Sequence, residues 1–192
     1  MPKLDPFTLN IPTQIITSRL ILRPPMAGDG TAVYAAVCES LTALRQFPAS
    51  LPWAVAEPSV ASSEEWCQQR HADFLARKDL AMLAWHRETG ELVLATGLHR
   101  LDWAVPKFEL GFWCRSSKQG QGLVSEAARA LLGLAWETLG ARRVEALCDA
   151  ANLPSRRVCE RIGMTLEGVM RNERITPTGE LCDTCVYAAI KP

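Results

Sequence analysis

Two adjoining runs, Phe108-Glu109-Leu110-Gly111-Phe112-Trp113-Cys114 and Lys118-Gln119-Gly120-Gln121-Gly122-Leu123-Val124, decide how this chain is read. The first is short, apolar and aromatic, the composition of a half-buried strand. The second is a polar turn punctuated by glycines. Beyond it Val124, Ala127, Ala128, Leu131, Leu134 and Ala135 recur at helical spacing toward Leu139, which predicts an amphipathic helix. Strand, glycine turn and helix in that order leave unpaired N–H groups at the positive end of a helix dipole. Such a junction seats an anion, and a diphosphate is its natural guest. The turn has no Lys-Ser or Lys-Thr of a nucleoside-triphosphate loop, and Ser125 stands where a dinucleotide fingerprint has its third glycine.

The length, 192 residues, suits one domain spanning 1–192, with residues 1–14 as an N-terminal extension. A formal net charge of zero gives no basic footprint for a nucleic-acid partner. No apolar run approaches the ~20 residues of a membrane helix. Met1-Pro2-Lys3-Leu4-Asp5-Pro6 lacks the pattern of a secretory signal, so a soluble cytoplasmic protein is expected. Seven cysteines, an odd number spread along the chain, read as free thiols. Cys182 and Cys185 share a period-2 segment, where residues three apart face opposite ways. With only His71, His86 and His99 besides, no ligand set for a metal is expected.

Ile15 to Arg23 reads as a first strand. A helix starts at Asp29-Gly30, and a second short helical piece spans Leu41 to Phe47. Ser62 and Glu65 have capping-box spacing for a third helix, which ends near Asp79. Strand-like runs follow at Leu80–His86, Leu92–Leu101 and Phe108–Cys114, then the turn and helix, then a strand at Arg142–Asp149. Asn152-Leu153-Pro154-Ser155 opens a helix that Gly163 closes, and two strands complete the chain, 164–175 and 181–190. The order β-α-α-α-β-β-β-α-β-α-β-β implies a mixed α/β sheet, antiparallel at hairpins and parallel where helices cross over.

These residues resemble the GNAT superfamily of N-acetyltransferases, and within it the RimJ/RimL-type ribosomal-protein N-terminal acetyltransferases. Thr17-Ser18-Arg19-Leu20-Ile21-Leu22-Arg23-Pro24 is similar to the family's opening strand, and Glu109-Leu110-Gly111-Phe112-Trp113 to its E-I-G-Y-W strand. Gln119-x-x-Gly122-x-Val124 resembles the acyl-CoA loop, with Val124 replacing a small residue. Asn152-x-x-Ser155, Glu160-Arg161-Ile162-Gly163-Met164 and Glu167-Gly168 follow its later motifs in order, and Asp183 and Tyr187 fit its closing strand. The resemblance implies a GNAT fold: a mostly antiparallel seven-stranded sheet flanked by helices and splayed at its two central parallel strands. It implies acetyl-CoA as cosubstrate, no metal, a primary amine such as a protein N-terminal α-amine as acceptor, and direct attack in a ternary complex. Pantetheine would pair with the backbone of Phe112 and Cys114. The diphosphate would sit on the loop Gln119, Gly120, Gln121, Gly122, Leu123 and Val124, on the amides from Gln121 onward, and Asn152 would either reach pantetheine or cap its helix.

Attack of an amine on a thioester needs a neutral amine, an oxyanion donor and a proton for the departing thiolate. Glu109 is the first candidate base, by the resemblance, and His99 at the end of the neighbouring strand is the second. Family enzymes often protonate the thiolate with a tyrosine where this chain has Cys159. Ser155, one turn earlier on the same helical face, is the candidate that the RimL-type resemblance offers instead. No neighbouring histidine would activate Cys159 as a nucleophile. Trp53, Trp103 and Phe47 flank the expected acceptor cleft, as walls or as packing. The alternative reading is a non-catalytic acyl-CoA-binding module or sensor. Monomer and homodimer are both compatible with the sequence.

Overall fold

Leu80 to Ala84 are apolar at five consecutive positions, so a strand there needs cover on both faces, and all five are buried. The structure, a computed structural model, describes residues 5–191; Met1 to Leu4 of the N-terminal reading, and Pro192, lie outside the described residues. The strands are β1 (Ile15–Ile16), β2 (Leu20–Arg23), β3 (Leu80–His86), β4 (Leu92–Asp102), β5 (Lys107–Cys114), β6 (Arg143–Asp149), β7 (Thr165–Ile175) and β8 (Leu181–Ile190). The helices are α1 (Gly30–Leu44), α2 (Val60–Leu75), α3 (Leu123–Glu137) and α4 (Leu153–Arg161). The strands form one sheet in the order β1-β2-β3-β4-β5-β6-β8-β7. Every neighbouring pair is antiparallel except β5 with β6.

Cover comes from both sides. Leu20, Leu22, Met82, Leu94, Leu98, Phe108 and Leu110 pack with Leu123, Ala127, Ala128 and Leu131 of α3. On the opposite face Leu83, Leu92 and Ala95 pack with Val33, Ala36 and Val37 of α1 and Cys67 of α2. Ile11, within the stretch read as an extension, is buried in the first of these clusters.

The sheet has eight strands where seven were expected, because the first strand is broken at Thr17-Ser18-Arg19. Those residues turn toward α3 and converge on Glu126: Thr17 Oγ1 donates at 2.6 Å, Ser18 Oγ at 2.9 Å, Arg19 N at 2.8 Å and Arg19 Nε at 2.7 Å. The helical piece at 41–47 is not separate but the end of α1, which runs unbroken to Leu44. The capping box lies three residues before its expected place: Ser59 Oγ accepts from Ser62 N at 3.0 Å, and Ser62 Oγ accepts from Ser59 N at 3.1 Å. Extended φ and ψ at Ser59, after Pro58, fix that start. Helix α2 ends at Leu75, short of Asp79.

Burial alone would push the Glu126 carboxyl up, but the bonds from Thr17, Arg19 and Ser18 outweigh it and hold the group down at about 2. An unfolded glutamate titrates near 4.3, so this ionised network adds stability above that pH and loses it as pH falls toward 2. We expect Glu126→Gln to cost about 1–3 kcal/mol in urea unfolding at pH 7. Wild-type stability should decline from about pH 5 toward pH 2 more steeply than that of the variant. Parallel acid limbs would show that Glu126 is not held by this network.

Candidate active site

The parallel pairing of β5 with β6 lasts three rungs, Lys107↔Arg143, Phe108↔Val144 and Glu109↔Glu145. Past the third rung β5 stays with β4 as far as Cys114, and β6 stays with β8 as far as Asp149. The two strands therefore diverge, and the facing backbone groups of 110–114 and 146–149 have no strand between them. Phe112 and Cys114 lie on the β5 wall. Burial pushes the Cys114 thiol up to about 11, so it stays protonated at neutral pH.

Asn152 caps α4 with its side chain, accepting from Ser155 N at 3.1 Å, and sets Ser155 and Cys159 on the face toward β6. Cys148, Ser155 and Cys159 meet there. Contact with Cys159 and then Ser155 lowers the Cys148 thiol against its burial, whereas contact with Cys148 and burial raise Cys159. Cys159 is fully buried.

At the mouth of the gap Gly120 and Gly122 hold φ of +73° and +76°, left-handed values that suit glycine. Gly122 caps α3 without a side chain, so the N–H groups of Leu123, Val124 and Ser125 start the helix uncapped. The Val124 side chain packs against the core. Arg19 Nη1 donates to Gln121 O at 3.0 Å and ties the turn to the Glu126 network. Arg19, Arg129 and Arg161 line a surface cleft against Gly122 and Ser125. Sequence reading singled out neither Arg129 nor Arg161 as a site residue. Arg129 falls seven residues after Gly122, two helical turns along the same face, which was the available signal. Arg161 is brought there only by folding.

On the sheet's other face a cavity of about 480 Å³ lies under α1 and α2. Ala81, Ala95 and Gly111 belong to its floor, and Trp53, Trp66 and Trp113 to its walls. Of the three loop aromatics expected at a cleft only Trp53 is there. Trp103 stacks edge-on against Phe108 at 5.0 Å and bonds Arg77 O, and Phe47 is not among the lining residues. Trp66 and Trp113 were missed as wall residues, being read simply as helix and strand apolar positions.

His99 and Glu109 are register partners on this face. Glu109 is ion-paired with Arg100, which a β-bulge and a left-handed φ of +46° turn back across the strand. Glu145 beside it is met by Arg143 at 2.9 Å and Lys107 at 3.5 Å. His99 Nδ1 bonds Asp79 Oδ2 at 2.8 Å, and Asp79 in turn lies 3.8 Å from Arg70. The imidazole lies flat over the paired glycines Gly97 and Gly111. A Cβ at Gly111 would meet His99 Cδ2 at 2.8 Å and Nε2 at 3.0 Å; one at Gly97 would meet His99 Cε1 at 2.8 Å and Ala81 Cα at 2.9 Å. With Nδ1 occupied by a carboxylate, Nε2 is the nitrogen left to the cavity.

A sheet split beside a glycine-capped helix is the geometry that the sequence resemblance anticipated, and the acetyltransferase (GNAT) domain family matches residues 19–165. The chain belongs to the GNAT family. Among its relatives, YdaF of Bacillus subtilis (strain 168) is 37% identical over 102 residues, 53% of this chain and 55% of that protein. The ribosomal-protein-serine acetyltransferase of Escherichia coli (strain K12) is 28% identical over 141 residues, 72% of this chain and 75% of that one. The chain thus spans about half the length of YdaF and three quarters of the second relative. The GNAT fold is shared with the microcin C7 self-immunity acetyltransferase MccE, solved with acetyl-CoA and AMP: TM-score 0.83, 20% identity, 93% of this chain and 97% of that one.

The glycine shelf can be tested by a double-mutant cycle. We expect Gly111→Ala to cost about 1–3 kcal/mol in urea unfolding, because the new methyl strikes the imidazole. In a His99→Ala background that cost should largely vanish. Gly97→Ala should stay costly in the same background, since backbone atoms of Leu80 and Ala81 also crowd it. Equal costs at Gly111 in both backgrounds would place the ring elsewhere.

Proposed function

We propose that this GNAT protein transfers an acetyl group from acetyl-CoA to a primary amine by direct attack within a ternary complex. The observation that carries the reading is the gap between β5 and β6, with an uncapped helix start at its mouth and a histidine-floored cavity across the sheet. Pantetheine would lie in the gap and satisfy backbone groups of Phe112 and Cys114, which no strand meets. The diphosphate would rest on the Gln119-Gly120-Gln121-Gly122-Leu123-Val124 loop, where amides and dipole favour negative charge. Arg19, Arg129 and Arg161 add cations around the phosphates. Asn152 acts as the cap of α4, and Ser155 faces the gap from α4 to protonate the departing thiolate.

His99 serves better than Glu109 as the proton acceptor. Its Nδ1 is held by Asp79, and its Nε2 is free toward the cavity. The Glu109 carboxylate, by contrast, is already engaged by Arg100 beside Glu145. Glu109 then steadies the base of the gap. An oriented imidazole–carboxylate pair facing a cavity favours turnover over a module that merely binds acyl-CoA.

Free thiol released from acetyl-CoA in the presence of an amine panel tests the activity. We expect His99→Gln to lower kcat by about 10²–10⁴-fold while CoA affinity by calorimetry stays near wild type. Glu109→Gln should lose less. Arg129→Ala with Arg161→Ala should weaken CoA binding by roughly tenfold, and more at low salt. An unaltered rate in His99→Gln would return the base to Glu109 or to water.

A further inference from the structure

The cavity has a chemistry of its own, and it differs from what a peptide end requires. Its floor is formed by β3, β4 and β5: Ala81 pairs with Gly97, and Gly97 with Gly111. Backbone shared among β3, β4 and β5 is spent on its neighbours, helical backbone above is spent within α1 and α2, and in the 51–58 loop the carbonyls of Ala54, Val55 and Ala56 already accept from Arg45. Side-chain polar groups are mostly committed as well. Thr96 Oγ1 donates to Gly111 O at 2.8 Å, Ser62 bonds Ser59, Glu57 pairs with Arg45 at 2.7 Å, and Arg70 pairs with Asp73 at 2.9 Å. His99 Nε2, the buried, unpartnered Arg70 Nε, the Ser63 hydroxyl and the indole N–H groups of Trp53, Trp66 and Trp113 remain as the few donors or acceptors. The remaining surface is indole, phenyl and aliphatic. Trp53 and Trp113 close one side with ring centroids 6.0 Å apart, tilted by 49°.

A peptide entering this space would bring more N–H and C=O groups than the few polar groups left here can meet, and each buried unmet group is penalised. A small amine on an apolar body brings none. The volume, about 480 Å³, lies in the range of small-molecule sites. We infer that the acceptor of this enzyme is a small primary amine carried on an aromatic or branched-aliphatic body, which the Trp53, Trp66 and Trp113 walls enclose with the nitrogen toward His99. The inference rests on the acetyl-transfer reading and specifies its second substrate.

The same walls assist the reaction. An alkylamine is an ammonium in water near neutral pH, and desolvation in an apolar cavity favours its neutral form. The ammonium proton passes to His99 Nε2, the neutral amine nitrogen bonds the thioester carbonyl carbon, the C–S bond breaks, and the second proton shed by that nitrogen is passed through the Ser155 hydroxyl to the thiolate, which leaves as free coenzyme A. Indole faces also attract the cation as it arrives.

The test compares 2-phenylethylamine and tryptamine with spermidine and a serine-initiated pentapeptide, each at fixed acetyl-CoA, by thiol release. Binding of the same compounds is followed separately by indole fluorescence. We expect kcat/KM for the two aromatic amines to exceed those for spermidine and the peptide by at least about 100-fold. Trp53→Ala should raise the KM of the aromatic amines about tenfold and leave the KM for acetyl-CoA unchanged; Trp53 lies half-exposed on a short turn, so its loss spares the core. Faster turnover of the peptide or spermidine would overturn the inference and keep the transferase. If no amine releases thiol, the transferase reading fails. Fluorescence then still judges the pocket: saturable binding of 2-phenylethylamine that Trp53→Ala weakens upholds an apolar-amine site, and no binding overturns it.

Discussion

Three rungs of parallel pairing between β5 and β6, and no fourth, are the constraint on which the site depends. Had the strands stayed together, their backbone groups would satisfy one another and the sheet would be closed at its centre. Their outer edges cannot open to compensate, since β4 and β8 occupy them past the point of divergence. The central gap is therefore bounded by strands whose facing N–H and C=O groups have no strand partner, and on the proposed reading the amides of pantetheine meet them. The last rung also brings Glu109 and Glu145 side by side, and Arg100, Arg143 and Lys107 neutralise them. Like charges so placed would otherwise oppose the pairing.

The glycine turn at the mouth of that gap is held from two sides. From the strand side, Arg19 spans Glu126 and the carbonyl of Gln121, so the break in the first strand and the shape of the loop are one feature. From α1, Glu39 accepts from Ser117 N at 2.9 Å and pairs with Arg115, while Ser40 Oγ accepts from Ser116 N at 3.0 Å. The bonds from Ser117, and then Arg115, hold the Glu39 carboxyl down at about 2. On the proposed reading this loop presents amides to a polyanion, and it gains from being held: its conformation is set before the ligand arrives, and less ordering entropy is lost on binding.

Elements set by local pattern were legible in the sequence, and those set by contact across the fold were not. The β5 strand, the glycine turn and α3 follow from alternation, glycine placement and helical periodicity. The split of the first strand did not, because Thr17-Ser18-Arg19 reads as continuous strand until Glu126, more than a hundred residues on, draws it aside. Phe47 and Trp66 look alike as isolated aromatics, and only the packing of α2 over the sheet places the second in the cavity. His99 could be seen as a candidate, but the preference proposed for it over Glu109 rests on Asp79 from the turn before β3 and on two glycines fourteen residues apart in sequence. Neither glycine has a local reason to be there; Gly111 is explained by the ring that lies on it, and Gly97 by that ring together with the backbone of Leu80 and Ala81.

The sheet also acts as a partition, and alternation along β5 sorts the two substrates. Leu110, Phe112 and Cys114 pack toward the α3 side, where the loop and the arginines lie, and Gly111 and Trp113 face the cavity, whose edge Phe112 also reaches. On the proposed reading, a polyanionic cosubstrate and an apolar amine approach from opposite faces and can meet only where the strands part. That geometry keeps the charges of one away from the low-polarity walls that favour the neutral form of the other. It also makes a single strand answerable for both specificities. A one-residue slip of β5 would exchange its faces, putting Phe112 where Gly111 must lie beneath His99 and closing the cavity. The pairing of Gly97 with Gly111 is thus a statement about register as much as about space, and it links the fold's central strands directly to the chemistry proposed for them.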